Sequence, residues 1–185
     1  MGSTRARSPP PAPHDDGHVD NGRVIEQADA HDDTPDPGSP RLDDQLCFAL
    51  YAAQRAVTAA YRPLLEELGL TYPQYLVLLV LWERGEMTVK ELGTALCLDY
   101  GTVSPLLKRL EAAGLVRRER SVLDERSVSV GVTGRGAELR ERAALVPGAL
   151  LAATELSGGE VARLRGDLRE LAERAQGAAD RARST

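Results

Sequence analysis

Aromatic side chains are scarce in this 185-residue chain: one Trp, one Phe and five Tyr make up 4% of it, against 42% hydrophobic residues overall. The apolar positions are therefore mostly Leu, Val and Ala, which favours helix-on-helix packing over a β-sandwich. No run of about 18 uncharged apolar residues occurs. Arg5 and Arg7 are followed by none of the apolar sequence that a secretory leader needs. A soluble, cytoplasmic protein with no membrane partner is expected. Cysteine is nearly missing as well. Cys47 and Cys97 stand fifty positions apart, matching neither a disulfide framework nor a Cys-x-x-Cys pair, so each thiol is judged alone.

Residues 1–40 hold almost no large apolar side chains and carry Pro9-Pro10-Pro11, Pro13, Pro35, Pro37 and Pro40 among aspartates, the composition of a disordered arm. This arm holds 8 acidic against 3 basic residues and so accounts for the whole formal charge of −5, leaving 20 of each sign in the rest. An acidic total does not exclude nucleic-acid binding, which depends on local clustering of positive charge. His14, His18 and His31 all lie in the arm without ligand spacing, so no metal and no cofactor are expected.

From Leu42 the pattern becomes helical. Leu46, Leu50, Ala53 and Val57 recur at three and four residues, with Asp43 or Asp44 able to cap the start, predicting a first helix to about Tyr61. Pro63 can open a short helix through Leu68 stopped by Gly69, and Pro73 another through about Arg84 stopped by Gly85. Thr88-Val89-Lys90-Glu91 is a capping-box signature for a short helix over 88–96. Leu98-Asp99-Tyr100-Gly101 supplies a turn, and Thr102 to Ala113 reads as a second helix with Val103, Leu106, Leu107 and Leu110 inward, ended by Gly114. Leu115–Arg120 and Ser127–Val132 read as two strands of a hairpin. A long helix is expected from Thr133 to roughly Ala153. Ser157-Gly158-Gly159-Glu160 opens a last one with Val161, Leu164, Leu168 and Leu171 on one stripe.

Two short helices, a tight turn and a hairpin make a winged helix-turn-helix, whose second helix can enter the major groove. Thr102 and Ser104 can reach base edges, while Lys108 and Arg109 suit phosphates. Arg117, Arg118, Arg120 and Arg126 bring four guanidinium groups to the hairpin, where an arginine can enter a narrow minor groove. Glu111, Glu119, Asp124 and Glu125 accompany them, so charge alone also fits a solvated face. The order of cap, turn, helix and arginine-rich hairpin decides for the reader.

From Leu42 to about Ala175 the chain resembles the MarR family of winged-helix repressors. Its most specific segment is Leu115-Val116-Arg117-Arg118 through Asp124-Glu125-Arg126-Ser127, which looks like that family's wing. The resemblance implies that Asp124 orients the wing tip and Arg126 enters the minor groove. Within the family, Leu46-Cys47-Phe48-Ala49-Leu50-Tyr51, Tyr61-Arg62-Pro63-Leu64-Leu65 and Thr71-Tyr72-Pro73-Gln74-Tyr75 are similar to the organic hydroperoxide repressors. That likeness makes Cys47 the peroxide-reactive thiol, with Tyr61 and Tyr72 of the partner subunit hydrogen-bonding its sulfur and Tyr51 one turn along from it. Taken alone, Cys47 reads as an inert core thiol and the tyrosines as core packing. Reactivity needs the thiolate, which a helix start favours and Asp43 and Asp44 oppose, so hydroxyl donors are required.

Cys97 reads as a small buried hydrophobe. Some members of the group that the chain resembles pair the sensing thiol with a second cysteine from the C-terminal half; none follows Cys97 here, so the resemblance implies a sulfenic acid at Cys47 capped by a low-molecular-weight thiol. The expected architecture is mainly α with a small β-hairpin wing. A disordered arm over 1–40 precedes a winged-helix domain over 41–177, with its reader at about 86–132 and dimerisation helices at about 42–61 and 133–177; residues 178–185 form a disordered tail. The expected function is not enzymatic: a homodimer binds double-stranded DNA at a pseudo-palindromic operator and lets go when an organic hydroperoxide oxidises Cys47. Two rivals remain, a repressor released by a small aromatic ligand and a thiol peroxidase.

Overall fold

The computed structural model describes residues 39–120 and 128–184. The expected arm at 1–40 lies almost wholly outside them, and the described part of the leading unit, 39–44, carries a Ser39 to Asp44 hydrogen bond. Residues 45–184 form a unit of seven helices and three strands among the described residues. Helix α1 spans Leu46–Glu66 and α2 Tyr72–Arg84; strand β1, Met87–Thr88, leads into α3, Val89–Leu96, and α4, Tyr100–Ala112. Strands β2, Val116–Arg120, and β3, Val128–Val132, precede α5, Gly134–Ala143, α6, Val146–Thr154, and α7, Gly158–Arg183.

Local signals set most of these limits. Thr88 caps α3: its hydroxyl accepts from the Glu91 amide at 3.2 Å and Glu91 accepts from the Thr88 amide at 2.8 Å, pairing two amides that a helix start leaves free. Ser157 and Glu160 repeat this at α7. Gly69, Gly85 and Gly114, the residues expected to stop helices, all take positive φ. At α1, however, the N-cap is Gln45 without a side-chain cap bond, not Asp43 or Asp44.

Three expectations at the element level are corrected. Helix α1 runs unbroken through Pro63 to Glu66, so two helices rather than three precede the reader. The long helix expected from Thr133 is two, because Pro147 has no N–H to offer the Ala143 carbonyl and instead occupies the first turn of α6. Residues 178–183, read as tail, continue α7, consistent with the helix-forming Ala178, Ala179 and Ala182. Strand β1 was not foreseen; two residues are too few to show a period.

The sheet is antiparallel in the order β1-β3-β2, with Arg117 opposite Gly131 and Met87 opposite Val130. Its inner face, through Val116 and Val130, closes a core that includes Tyr75, Leu78, Leu81, Leu92, Leu107 and Leu110. Burying an aliphatic side chain contributes about 1.5–3 kcal/mol, so this leucine layer holds α2, α3 and α4 together. Trp82 fastens α2 to the start of α5 by donating from Nε1 to the Gly136 carbonyl at 3.0 Å. Among the described residues no helix is long and apolar enough to cross a membrane.

Candidate nucleic-acid interface and thiol site

Helix α4 is seated by its own sequence. Asp99 accepts from the Thr102 amide at 2.7 Å, and bonds from Thr102 hold its carboxyl below the usual range, so the cap is an anion at the helix start, where the helix dipole favours one. Val103, Leu106, Leu107 and Leu110 point inward as expected and are buried. At about 100° per residue the opposite face runs through Gly101, Ser104, Pro105 and Lys108, with Thr102 and Arg109 beside it. Thr102, Lys108 and Arg109 are exposed and Ser104 is partly so. Small residues toward the N-terminus let this end approach a groove closely, and the cations lie further along, within reach of a backbone. Tyr100, 70% exposed at the first position of α4, belongs to the same surface and was missed in the sequence. The signal was present: it lies outside the inward leucine stripe yet directly follows the cap.

The wing arginines divide. Arg118 faces inward and is forked onto Glu111 of α4, with Nε at 2.9 Å and Nη2 at 2.6 Å from Oε2. Arg117, named as a DNA contact, has all three guanidinium nitrogens engaged: Nη2 with Glu86 at 2.6 Å, Nε with Glu119 at 3.0 Å and Nη1 with the Val132 carbonyl at 2.9 Å. Asp124 and Arg126 lie outside the described residues.

Cys47 is the second residue of α1, exposed and without a disulfide. Its neighbours on the helix, Leu46, Leu50 and Tyr51, are also exposed, at 59%, 37% and 56%. Tyr51 stacks on Phe48 at 6.5 Å and lies under the Arg55 guanidinium at 5.7 Å. Tyr61 and Tyr72 are brought together, ring centroids 4.9 Å apart, with Tyr75 6.0 Å from Tyr61. Burial first, and then the neighbouring hydroxyl of Tyr72, pushes the Tyr61 phenol above its ordinary value; burial does the same to Tyr72 and Tyr75. All three therefore stay protonated donors near neutral pH.

Cys47 and Tyr61 share one straight helix and are fourteen residues apart, about 21 Å along its axis, so they do not meet within one chain. Cys97 corrects another expectation. It is exposed, because it is the C-cap of α3 and takes a left-handed conformation, φ 55°, in the turn between α3 and α4. Leu96 and Leu98 on either side pack against the core instead.

Residues 70–128 match the MarR family. The chain is 49% identical over 133 residues to the organic hydroperoxide resistance transcriptional regulator of Bacillus subtilis strain 168, covering 72% of this chain and 90% of that protein. It is similar in structure to reduced AbfR bound to DNA, with a TM-score of 0.62 and 35% identity over 73% of this chain and 94% of that one. A mutant of E. coli MarR complexed with operator DNA superposes with a TM-score of 0.62 at 27% identity, covering 68% and 92%.

Proposed function

This chain belongs to the MarR family of transcriptional regulators, and from that premise we propose that it is a homodimeric repressor which reads double-stranded DNA and releases it when an organic hydroperoxide oxidises Cys47. The observation that carries the sensing step is the placement of an exposed thiol in the first turn of α1, with Tyr61 about 21 Å further along the same helix, where its ring packs on Tyr72 at the start of α2. An antiparallel partner helix brings the two ends together, so each sensor is built from both chains. The likeness to a hydroperoxide-resistance regulator and to a DNA-bound reduced regulator supports the same reading.

In the reduced protein the two α4 helices enter successive major grooves of a pseudo-palindromic operator, half-sites about one helical turn apart. Thr102 and Ser104 face base edges. Lys108 and Arg109 bind phosphates, and Arg126, oriented by Asp124, enters the minor groove. The Cys47 thiolate attacks the terminal peroxide oxygen; the O–O bond breaks, the alkoxide leaves and takes a proton as the alcohol, and sulfur becomes sulfenic acid. A low-molecular-weight thiol then condenses with it, releasing water and leaving a mixed disulfide. The larger adduct displaces the tyrosine hydroxyls and changes the separation of the two reading heads. A differential of 1.4 kcal/mol between the two states changes DNA affinity about tenfold.

The test is DNA affinity of the reduced protein for the duplex upstream of its own coding sequence, before and after one equivalent of cumene hydroperoxide, for wild type and Cys47→Ser. Loss of binding in wild type alone, reversed by a thiol reductant, is expected. Release of both proteins by an aromatic ligand, with peroxide inert, would instead establish the ligand-gated rival. Sustained peroxide turnover with excess reductant would establish the peroxidase.

A further inference from the structure

Arg117 spans the sheet rather than facing away from it. It stands on β2 opposite Gly131 of the central strand β3, while Glu86 immediately precedes β1 on the far side of β3. Adjacent strands lie about 4.8 Å apart, so a pair joining these outer positions bridges roughly 10 Å across the middle strand. The crossing exists because residue 131 is glycine: a Cβ there would lie 2.8 Å from Glu86 Oε2 and 3.0 Å from Arg117 Cζ. Beyond the bridge the guanidinium also bonds the Val132 carbonyl of β3, at 2.9 Å, and Glu119 of its own strand, at 3.0 Å.

The anchor has a second consequence. Glu86 lies one residue past Gly85, the C-cap of α2, whose first turn holds Tyr72 and Tyr75. Thirteen residues of helix, about 20 Å, separate the tyrosine cluster from the foot of the wing. Trp82, near the same end, is fixed to α5 through the Gly136 carbonyl.

Resting on the DNA-reading function proposed above, we infer that Arg117 is a positioning residue and not a phosphate ligand. With Glu86 it forms a brace over Gly131 that sets the wing's angle to α2 and carries movement of the tyrosine-bearing helix to the wing.

The test measures affinity of the full-length protein for the duplex upstream of its coding sequence, across a series of salt concentrations. The variants are Glu86→Ala, Arg117→Ala, their double, Arg117→Lys and Gly131→Ala, each checked for folding by circular dichroism and by fluorescence of Trp82, the chain's one tryptophan. The brace predicts that Glu86→Ala and Arg117→Ala each weaken binding about tenfold, within the range of contacting pairs, and that the double is no worse than either. Arg117→Lys falls with Arg117→Ala, since lysine keeps the charge but not the fork. Gly131→Ala, which displaces the pair without altering a charge, weakens binding similarly, and the slope of log affinity against log salt stays that of wild type. The inference is overturned if Glu86→Ala binds as well as wild type or better while Arg117→Ala lowers the salt slope by about one contact and Arg117→Lys restores it. Wild-type protein that binds no DNA would overturn the DNA-reading function itself, and this inference with it.

Discussion

In the proposed sensor, hydroxyl hydrogens rather than ring packing are what Tyr61 and Tyr72 bring. Both rings are half-buried, Tyr61 packing on Tyr72 and Tyr75, and burial raises phenols that are already protonated near neutral pH. A donor to an anionic sulfur contributes about 1.5–3 kcal/mol, so removing one hydroxyl while leaving the ring in place slows the reaction of Cys47 with peroxide about tenfold. Stopped-flow oxidation of Tyr61→Phe and Tyr72→Phe checks this, with Tyr75→Phe reacting at the wild-type rate as the control. The residue scale is also where sequence reading was weakest. Thr102, Lys108 and Arg109 fall on the exposed side of α4 because a leucine stripe fixes the opposite side. The pairing of Arg117 was not legible, since its partner Glu86 is thirty-one positions earlier and the opening that admits it is an unremarked glycine. Cys97 was misjudged because burial of cysteine is a statistical tendency, whereas a left-handed cap turns its side chain outward.

At the level of elements, stops and caps were legible because their cause is local. Thr88 with Glu91, Ser157 with Glu160, and a glycine after each of α1, α2 and α4 act within a few residues. Continuity through Pro63 was not legible. A proline inside a helix costs about 3 kcal/mol, and only the tertiary packing of Leu65, Leu64 and Tyr61 against the core outweighs it. The junction of β2, β3 and α5 shows the same dependence on distant atoms. Thr133 caps α5 and donates to the Gly114 carbonyl at 2.6 Å, while a Cβ on Gly136 would lie only 2.1 Å from the Leu115 carbonyl oxygen. Gly136→Ala is therefore expected to lower stability in urea by about 1–3 kcal/mol or more, as overpacking does. Gly134→Ala, with nothing within 4 Å, is expected to be neutral or slightly stabilising. Equal effects of the two substitutions would contradict the close approach.

At the scale of the whole molecule, one chain leaves several large apolar side chains exposed. Leu46 and Tyr51 on α1, Leu145 before α6, and Leu164 and Leu168 on α7 are exposed, the last two at 49% each. Leu46, Leu164 and Leu168 belong to the stripes that the sequence placed near both ends, and a second copy covers these faces in our proposal. Leu164→Glu combined with Leu168→Glu should shift sedimentation toward monomer and weaken operator binding by at least a hundredfold, since two half-sites are then bound separately. A stable dimer of that variant would place the interface elsewhere. In our proposal the dimer matters to the chemistry because Cys47 and Tyr61 lie fourteen residues apart on α1, with Tyr72 beyond them at the start of α2. If the chemical state of Cys47 sets the DNA-bound fraction, titrating the protein–DNA complex with organic hydroperoxide must move two signals together. Fluorescence anisotropy of the duplex reports release, and intact-protein mass spectrometry with peptide mapping reports modification at Cys47. Release that rises in step with oxidation of Cys47, and reverses with its reduction, is the predicted result. DNA that stays bound with Cys47 fully modified, or leaves with Cys47 intact, would contradict the account.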